Sequence, residues 1–311
     1  MPKIAILEYF DAQTRPRLQQ LVGPEQELLF CASNDDRDRI AILPQAEYAL
    51  VRAVKMPAAF LDHAPSLRMI HQWGTGTDGI PIAQARARGI TIARSPGVNA
   101  PSVADLTVAL MLAALRRVVT GDRLIRDGGW AEPNLYEIGR DLTGRVVGLV
   151  GYGAIAQQVE KRLRGFECEV LHNRASGGAG SIPFEDLIRR SEVISLHAPS
   201  TPQTRGLINA RVLAAMRPGA VLINTARGDL IDEAALVAAL HSGQLAAAGL
   251  DAFDPEPLRP DAPIRQAPNT VLSAHSGGRT RDNFARIVQH WSGNISRHAS
   301  GGVIDPAYLV T

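Results

Sequence analysis

Between residues 146 and 275 the chain alternates short, nearly continuous apolar runs with stretches whose apolar residues recur every three or four positions. A run with no polar face can only be a strand if it is covered on both sides, and the amphipathic stretches supply the helices that cover it. The pattern predicts strands at Val146–Gly151, Cys168–His172, Val193–His197, Ala220–Asn224, Ala247–Asp251 and Thr270–Ala274. Helices are predicted at Ala154–Leu163, Phe184–Arg190, Ala210–Met216 and Glu233–His241, the last capped by Asp232 and ended by Gly243. Strands joined by helices in this way form an α/β, doubly wound parallel sheet.

The first hundred residues repeat the alternation on a smaller scale, with strands expected at Lys3–Leu7, Tyr48–Val51, Leu67–His71 and Ile90–Ala93. A long apolar helix, Ser102–Arg116, leads out of this piece, and the amphipathic segment Asn283–His298 is placed to return to it. The expected organisation is a discontinuous, smaller flavodoxin-like α/β domain from residues 1–98 and 284–311, with a Rossmann domain over 99–283. The cleft between two such lobes is where a substrate would meet a cofactor.

One strand end carries a chemical signal. Val146 to Val150 runs into Gly151-Tyr152-Gly153-Ala154-Ile155-Ala156, a glycine turn that opens a helix. Glycines there let backbone approach a pyrophosphate, and the helix N-terminus faces its charge. About twenty residues further on, an NAD site places Asp or Glu against the ribose 2′-hydroxyl. This chain has His172-Asn173-Arg174 instead. A carboxylate would repel a 2′-phosphate and a guanidinium can hold one, so the expectation is NADP(H), with NAD(H) as the lesser cofactor.

Composition narrows the class further. With 45% hydrophobic and 21% charged residues and a net charge of +2, the chain reads as globular, with no nucleic-acid or membrane partner expected. Cys31 and Cys168 form no metal-ligand pattern, no metal is expected, and a reducing compartment fits them. The N-terminus enters a strand without a leader-like apolar region, which points to the cytoplasm.

Hydride transfer to a carbonyl requires a group for the substrate's anionic end, a proton donor and a partner that keeps the donor protonated. Arg227, His275 and Glu256 all follow late strands, where a doubly wound sheet places its ligands. These residues sit in a series of motifs: Gly74-Thr75-Gly76-Thr77-Asp78, Pro96-Gly97-Val98-Asn99, the glycine turn, and His197-Ala198-Pro199-Ser200-Thr201-Pro202-Gln203-Thr204. Asn224-Thr225-Ala226-Arg227-Gly228, Gly249-Leu250-Asp251-Ala252-Phe253, Pro255-Glu256-Pro257 and Ala274-His275 follow. In that order they resemble the D-isomer-specific 2-hydroxyacid dehydrogenases, over most of the chain from Tyr48 to His290.

The resemblance implies that Arg227 binds the carboxylate of a 2-oxo acid and that His275 is the general acid and base. Glu256 then pairs with His275 and favours its protonated form. Backbone N–H groups of Thr75 and Gly76 would hold the carboxylate, with Arg52 a second basic contact. Ala154 and Ile155 would face the pyrophosphate, Pro199 and Thr204 would flank it, and His197 would lie beside the cofactor. Thr225, Ala226 and Asp251 would line the nicotinamide side, a strand-end cap being the other reading of Asp251. Asp105 replaces the family's usual Glu, Ala274 its usual Pro, and Ala156 the third glycine.

The function implied is an NADPH-preferring reductase of small 2-oxo acids such as glyoxylate or hydroxypyruvate. An NAD-linked dehydrogenase of lactate or phosphoglycerate is one alternative, and a dinucleotide-sensing, corepressor-like binding protein another. The first lobe offers only Arg52, Lys55 and Arg94 to a phosphate, which disfavours phosphoglycerate. The resemblance also implies a homodimer, with residues 128–133 at the partner, although Trp130 and Tyr136 could equally be core residues.

Overall fold

The computed structural model describes residues 1–52, 54–130 and 132–310. It divides into two units, residues 1–99 with 281–311, and residues 100–280. In both units every pair of neighbouring strands is parallel, so helices must cover both faces.

The first unit holds β1 (Lys3–Ile6), β2 (Glu27–Phe30), β3 (Tyr48–Val51), β4 (Met69–Gln72) and β5 (Thr91–Ala93), in the order β2-β1-β3-β4-β5. Alternate residues along β1 and just past it go to opposite faces, Ile4 and Ile6 to one apolar cluster and Ala5 and Leu7 to the other. The helix Arg281–Ala299 presents Ile287, Val288, Trp291 and Ile295 at helical spacing to the Ile4–Ile6 side, which is why the end of the chain joins its beginning. Gln26 adds a polar tie, its Nε2 donating to the Ser292 carbonyl at 2.8 Å and to Ser296 Oγ at 2.6 Å.

The second unit opens with α1 (Ala100–Leu115) and contains β6 (Val146–Val150), β7 (Glu169–Asn173), β8 (Val193–Leu196), β9 (Ala220–Asn224), β10 (Leu245–Leu250) and β11 (Thr270–Leu272). Their order is β11-β10-β9-β8-β6-β7, and an isolated parallel bridge from His172 to Ser181 extends the sheet beyond β7. The chain leaves β6 towards β7 and returns on the other side as β8. That reversal is the topological switch point, outside whose carboxyl end a doubly wound sheet binds its ligand. The helix α2 (Ala154–Leu163) buries Ala156, Val159 and Leu163 against the sheet. Asp105 on α1 ties the two helices together through Arg162, at 2.6 Å.

The predicted fold class is the observed one. The predicted strands shorten at their carboxyl ends: Gly151, His197, Asp251 and Ala274 lie just past the ladders, where the chain turns away to form loops. Gly151 makes such a turn with φ 88°. The strand β2 has no counterpart in the predicted pattern. It is an edge strand with only Leu28 buried, too weak an apolar signal to stand out. Among the described residues no helix is long and apolar enough to cross a membrane.

Candidate active site

Three loops at the carboxyl ends of β9, β10 and β11 carry Arg227, Glu256 and His275. Glu256 Oε2 lies 2.7 Å from Nδ1 of His275, and Glu256 Oε1 accepts the Phe253 N–H at 3.0 Å. A carboxylate only accepts, so Nδ1 carries the hydrogen of this bond and Nε2 is the nitrogen left for a proton in transit. Burial acts to raise the Glu256 carboxyl. The hydrogen bonds from His275 and Phe253, with the charges of His275 and Arg227, outweigh it and hold the group below the usual carboxylate range. The loop is therefore anionic at neutral pH.

His275 adopts φ 47°, a left-handed conformation uncommon outside glycine. Asp251, almost fully buried at the end of β10, holds that turn. Its Oδ1 accepts from Ser273 Oγ at 2.6 Å and from the Ser276 N–H at 2.8 Å, and its Oδ2 accepts the Gly277 N–H at 2.8 Å. The structure thus shows the capping role of Asp251 directly, around the loop that carries the imidazole.

Two residues that motif order alone did not single out set the Arg227 loop. Asn224, fully buried, donates from Nδ2 to the Arg227 carbonyl at 2.8 Å and accepts the Ala226 N–H at 3.0 Å. Gly228 packs so closely on the Glu256 loop that a Cβ there would lie 2.0 Å from the Phe253 carbonyl carbon. The two loops can approach this closely only because that glycine has no side chain. Thr225 bonds Thr107 on α1 through their hydroxyls at 2.9 Å, which anchors the start of the same loop.

The switch point carries the glycine turn. A Cβ on Gly151 would meet the Ala198 nitrogen at 2.7 Å, so β6 can only pass the end of β8 as glycine. A Cβ on Gly153, by contrast, would point into open space above the first turn of α2, which starts at Ala154 and Ile155. Backbone donors under open space suit a pyrophosphate, and the residues present fit a dinucleotide there. Thr204 Oγ1 accepts the Thr201 N–H at 2.8 Å and donates to the Pro199 carbonyl at 2.7 Å, which shapes the 199–204 loop. His197 Nε2 meets Ser195 Oγ at 3.0 Å, and desolvation pushes its imidazole down to about 4.

At the end of β7, Asn173 and Arg174 play different parts. Asn173 donates from Nδ2 to the Ile182 carbonyl at 2.8 Å and so holds the glycine-rich segment 175–180 closed. One amide hydrogen is spent on the loop, and the sequence expectation for Asn173 is narrowed to its remaining polar atoms. The Arg174 N–H donates to Ser181 Oγ at 2.9 Å, while its side chain is exposed and its guanidinium has no partner among the described residues.

The predicted substrate residues Arg52, Thr75 and Gly76 lie in the first unit, past the carboxyl ends of β3 and β4. The N–H groups of Thr75 and Gly76 donate to no backbone carbonyl among the described residues. Trp130 and Tyr136 are 87% and 105% exposed, so the core reading of both fails. No group of three or more His, Cys, Asp or Glu able to hold a metal occurs among the described residues.

Comparison with known proteins extends these observations. Residues 108–277 match the family described as D-isomer specific 2-hydroxyacid dehydrogenase, NAD binding domain. The glyoxylate reductase of Korarchaeum cryptofilum is 35% identical over 267 residues, 82% of this chain and 80% of that protein. The hydroxypyruvate reductase of Thermotoga maritima is 34% identical over 279 residues, 86% of this chain and 90% of that one. The crystal structure of an NADPH-dependent glyoxylate/hydroxypyruvate reductase from Sinorhizobium meliloti superposes with a TM-score of 0.83 at 28% identity, covering 100% of this chain and 98% of the other.

Proposed function

The chain belongs to the D-isomer specific 2-hydroxyacid dehydrogenases, and from that premise we propose that it reduces small 2-oxo acids of the glyoxylate and hydroxypyruvate type with NADPH, giving D-2-hydroxy acids. It is an oxidoreductase acting on CH–OH donors with a nicotinamide dinucleotide. The observation that carries the proposed residue roles is the 2.7 Å bond between His275 and Glu256, beside an Arg227 loop locked to theirs through Gly228.

The nicotinamide, when bound, supplies a hydride to the carbonyl carbon. His275 Nε2 gives its proton to the developing alkoxide oxygen, and in oxidation takes one from the hydroxyl. The ring stays hydrogen-bonded through Nδ1 to Glu256 throughout, so the carboxylate orients it and offsets the charge of the imidazolium. Arg227 binds the substrate carboxylate and draws electron density from the carbonyl. Within the first unit, the Thr75 and Gly76 N–H groups and Arg52 are the groups suited to contact a substrate. Gly151, Gly153, Ala154 and Ile155 hold the pyrophosphate, while Thr225 and Ala226 line the nicotinamide side.

The preference for NADPH rests on Arg174. No carboxylate stands at the end of β7, and an exposed guanidinium without a partner among the described residues is available to a 2′-phosphate. The test is kcat/KM with NADPH and NADH on hydroxypyruvate, for the wild type and for Arg174→Asp. The wild type is expected to favour NADPH tenfold or more, about 1.4 kcal/mol, and the variant to lose that preference. Wild-type preference for NADH, or a variant that keeps the preference, removes the phosphate reading. Tight dinucleotide binding with no turnover of any 2-oxo acid would favour a sensor instead.

The same proposal includes a homodimer. Its support is the exposed apolar series Val118, Ile125, Trp130, Leu135, Tyr136 and Ile138 on one stretch of the second unit.

A further inference from the structure

Within the second unit, the segment that follows β8 touches both the glycine turn and the Arg227 loop. At its start, His197 and Ala198 pack against Gly151 so closely that no Cβ would fit there. At its far end it runs beside the residues that follow Arg227. The Gly206 N–H donates to the Asp229 carbonyl at 2.8 Å and the Ile208 N–H to the Leu230 carbonyl at 2.9 Å, and Ile208 forms an isolated parallel bridge with Ile231. One side chain adds to these main-chain ties. Asp229 Oδ2 accepts from Ser200 Oγ at 2.5 Å, and Nε of the exposed Arg205 lies 3.3 Å from the same oxygen. Ser200 belongs to the 199–204 loop, the one expected to flank the pyrophosphate. Asp229 is not the residue that packing alone would choose for this junction. Its Oδ1 is buried without a hydrogen-bond partner among the described residues, and a buried polar atom left unpaired opposes folding.

We propose that Asp229 is a positioning residue for Arg227, passing the state of the 199–204 loop to the loop that binds the substrate carboxylate. The guanidinium follows its own backbone closely, since Arg227 Nη1 donates to the Ala226 carbonyl at 2.8 Å. Whatever fixes residues 226–229 therefore fixes the direction in which Arg227 presents its remaining donors. Asn224 holds this loop from the β9 side, and Asp229 holds it from the β8 side through Ser200. A dinucleotide that orders Ser200 then orders Arg227 as well, and the 2-oxo acid binds more tightly when the cofactor is present. The coupling is reciprocal, so the acid tightens the dinucleotide by the same factor. Every residue on this route lies within 100–280. The inference rests on the reading of the site as that of a 2-oxo acid reductase.

The experiment titrates oxamate, an unreactive isostere of a small 2-oxo acid, into the full chain by calorimetry, with and without saturating NADPH. The ratio of the two Kd values is the coupling factor, and a general loss of folded protein does not move it. The wild type is expected to give a factor of about five or more. Asp229→Ala and Ser200→Ala should each lower it about threefold, and the double variant no further than either alone, since the two residues act as a unit. Asp229→Asn keeps an acceptor for the Ser200 hydroxyl and should stay within about twofold of the wild type. A wild type that reduces 2-oxo acids but shows a factor of one overturns this inference alone. So does a factor unmoved by Asp229→Ala, or one that Asp229→Asn lowers as far as Asp229→Ala does. A wild type that neither binds oxamate nor turns over any 2-oxo acid overturns both this inference and the reading beneath it.

Discussion

At the scale of single residues, the site depends on a side chain that is absent as much as on those present. Arg227, Glu256 and His275 are legible in the sequence because each is a reactive type in a recognisable run. The 2.0 Å clearance at Gly228 is not, since the partner backbone at Phe253 lies a strand and a helix away along the chain. The role of Asn224 was hidden for the same reason: a polar residue at a strand end announces a loop, but not which atoms it clamps. His275→Asn is expected to lower kcat/KM by about 10²–10⁴ while leaving dinucleotide affinity in place. Glu256→Gln should cost less, because the ring loses the carboxylate that orients it while its Nε2 stays in place. On the acid side the Glu256 carboxyl is held below its ordinary range, so its pairing with His275 persists until pH falls through that lowered value. Steady-state pH profiles of the two variants decide the matter, and an asparagine variant within fivefold of wild type would remove His275 from proton transfer.

Among elements, the central strands and their covering helices were readable because two-sided burial leaves an unbroken apolar run. Ala154–Leu163, Phe184–Arg190 and Glu233–His241 fall where the periodicity puts them. What periodicity could not give is the segment from Val118 to Ile138. There the helices Val118–Arg126 and Leu135–Ile138 bury no residue fully and turn Trp130 and Tyr136 outward. Apolar residues in sequence imply burial, but not burial by the same chain. If this stretch pairs two copies, sedimentation equilibrium should give twice 33.4 kDa, and Trp130→Glu should shift the mass towards one chain. A wild-type mass of one chain at micromolar concentration would dismiss the pairing.

For the molecule as a whole, acid stability follows from a polar network inside the first unit. His71, fully buried, donates from Nδ1 to the Gln72 carbonyl at 2.8 Å and accepts at Nε2 from Asn294 Nδ2 at 3.1 Å. The same amide nitrogen lies 3.2 Å from His290 Nε2. Both nitrogens of His71 are satisfied in the neutral ring, and a second proton would set N–H against N–H. Desolvation pushes His71 down to about 3, the carbonyl bond offsetting only part of it. The unfolded chain takes up a proton near the ordinary histidine value of about 6.5 and the folded chain does not. The stabilising effect of the neutral ring is therefore complete above that value and is lost as pH falls from there towards 3, at about 1.4 kcal/mol per pH unit. Urea unfolding between pH 7 and 4 should show this slope, and His71→Gln should lessen it by about one proton. An unchanged slope in the variant would sink the assignment.

The three reactive side chains all belong to residues 100–280, whereas Arg52, Thr75 and Gly76 belong to the other unit. Inheritance can therefore act on the two separately. A substitution at the ends of β3 or β4 leaves the proton donor and its carboxylate partner in place.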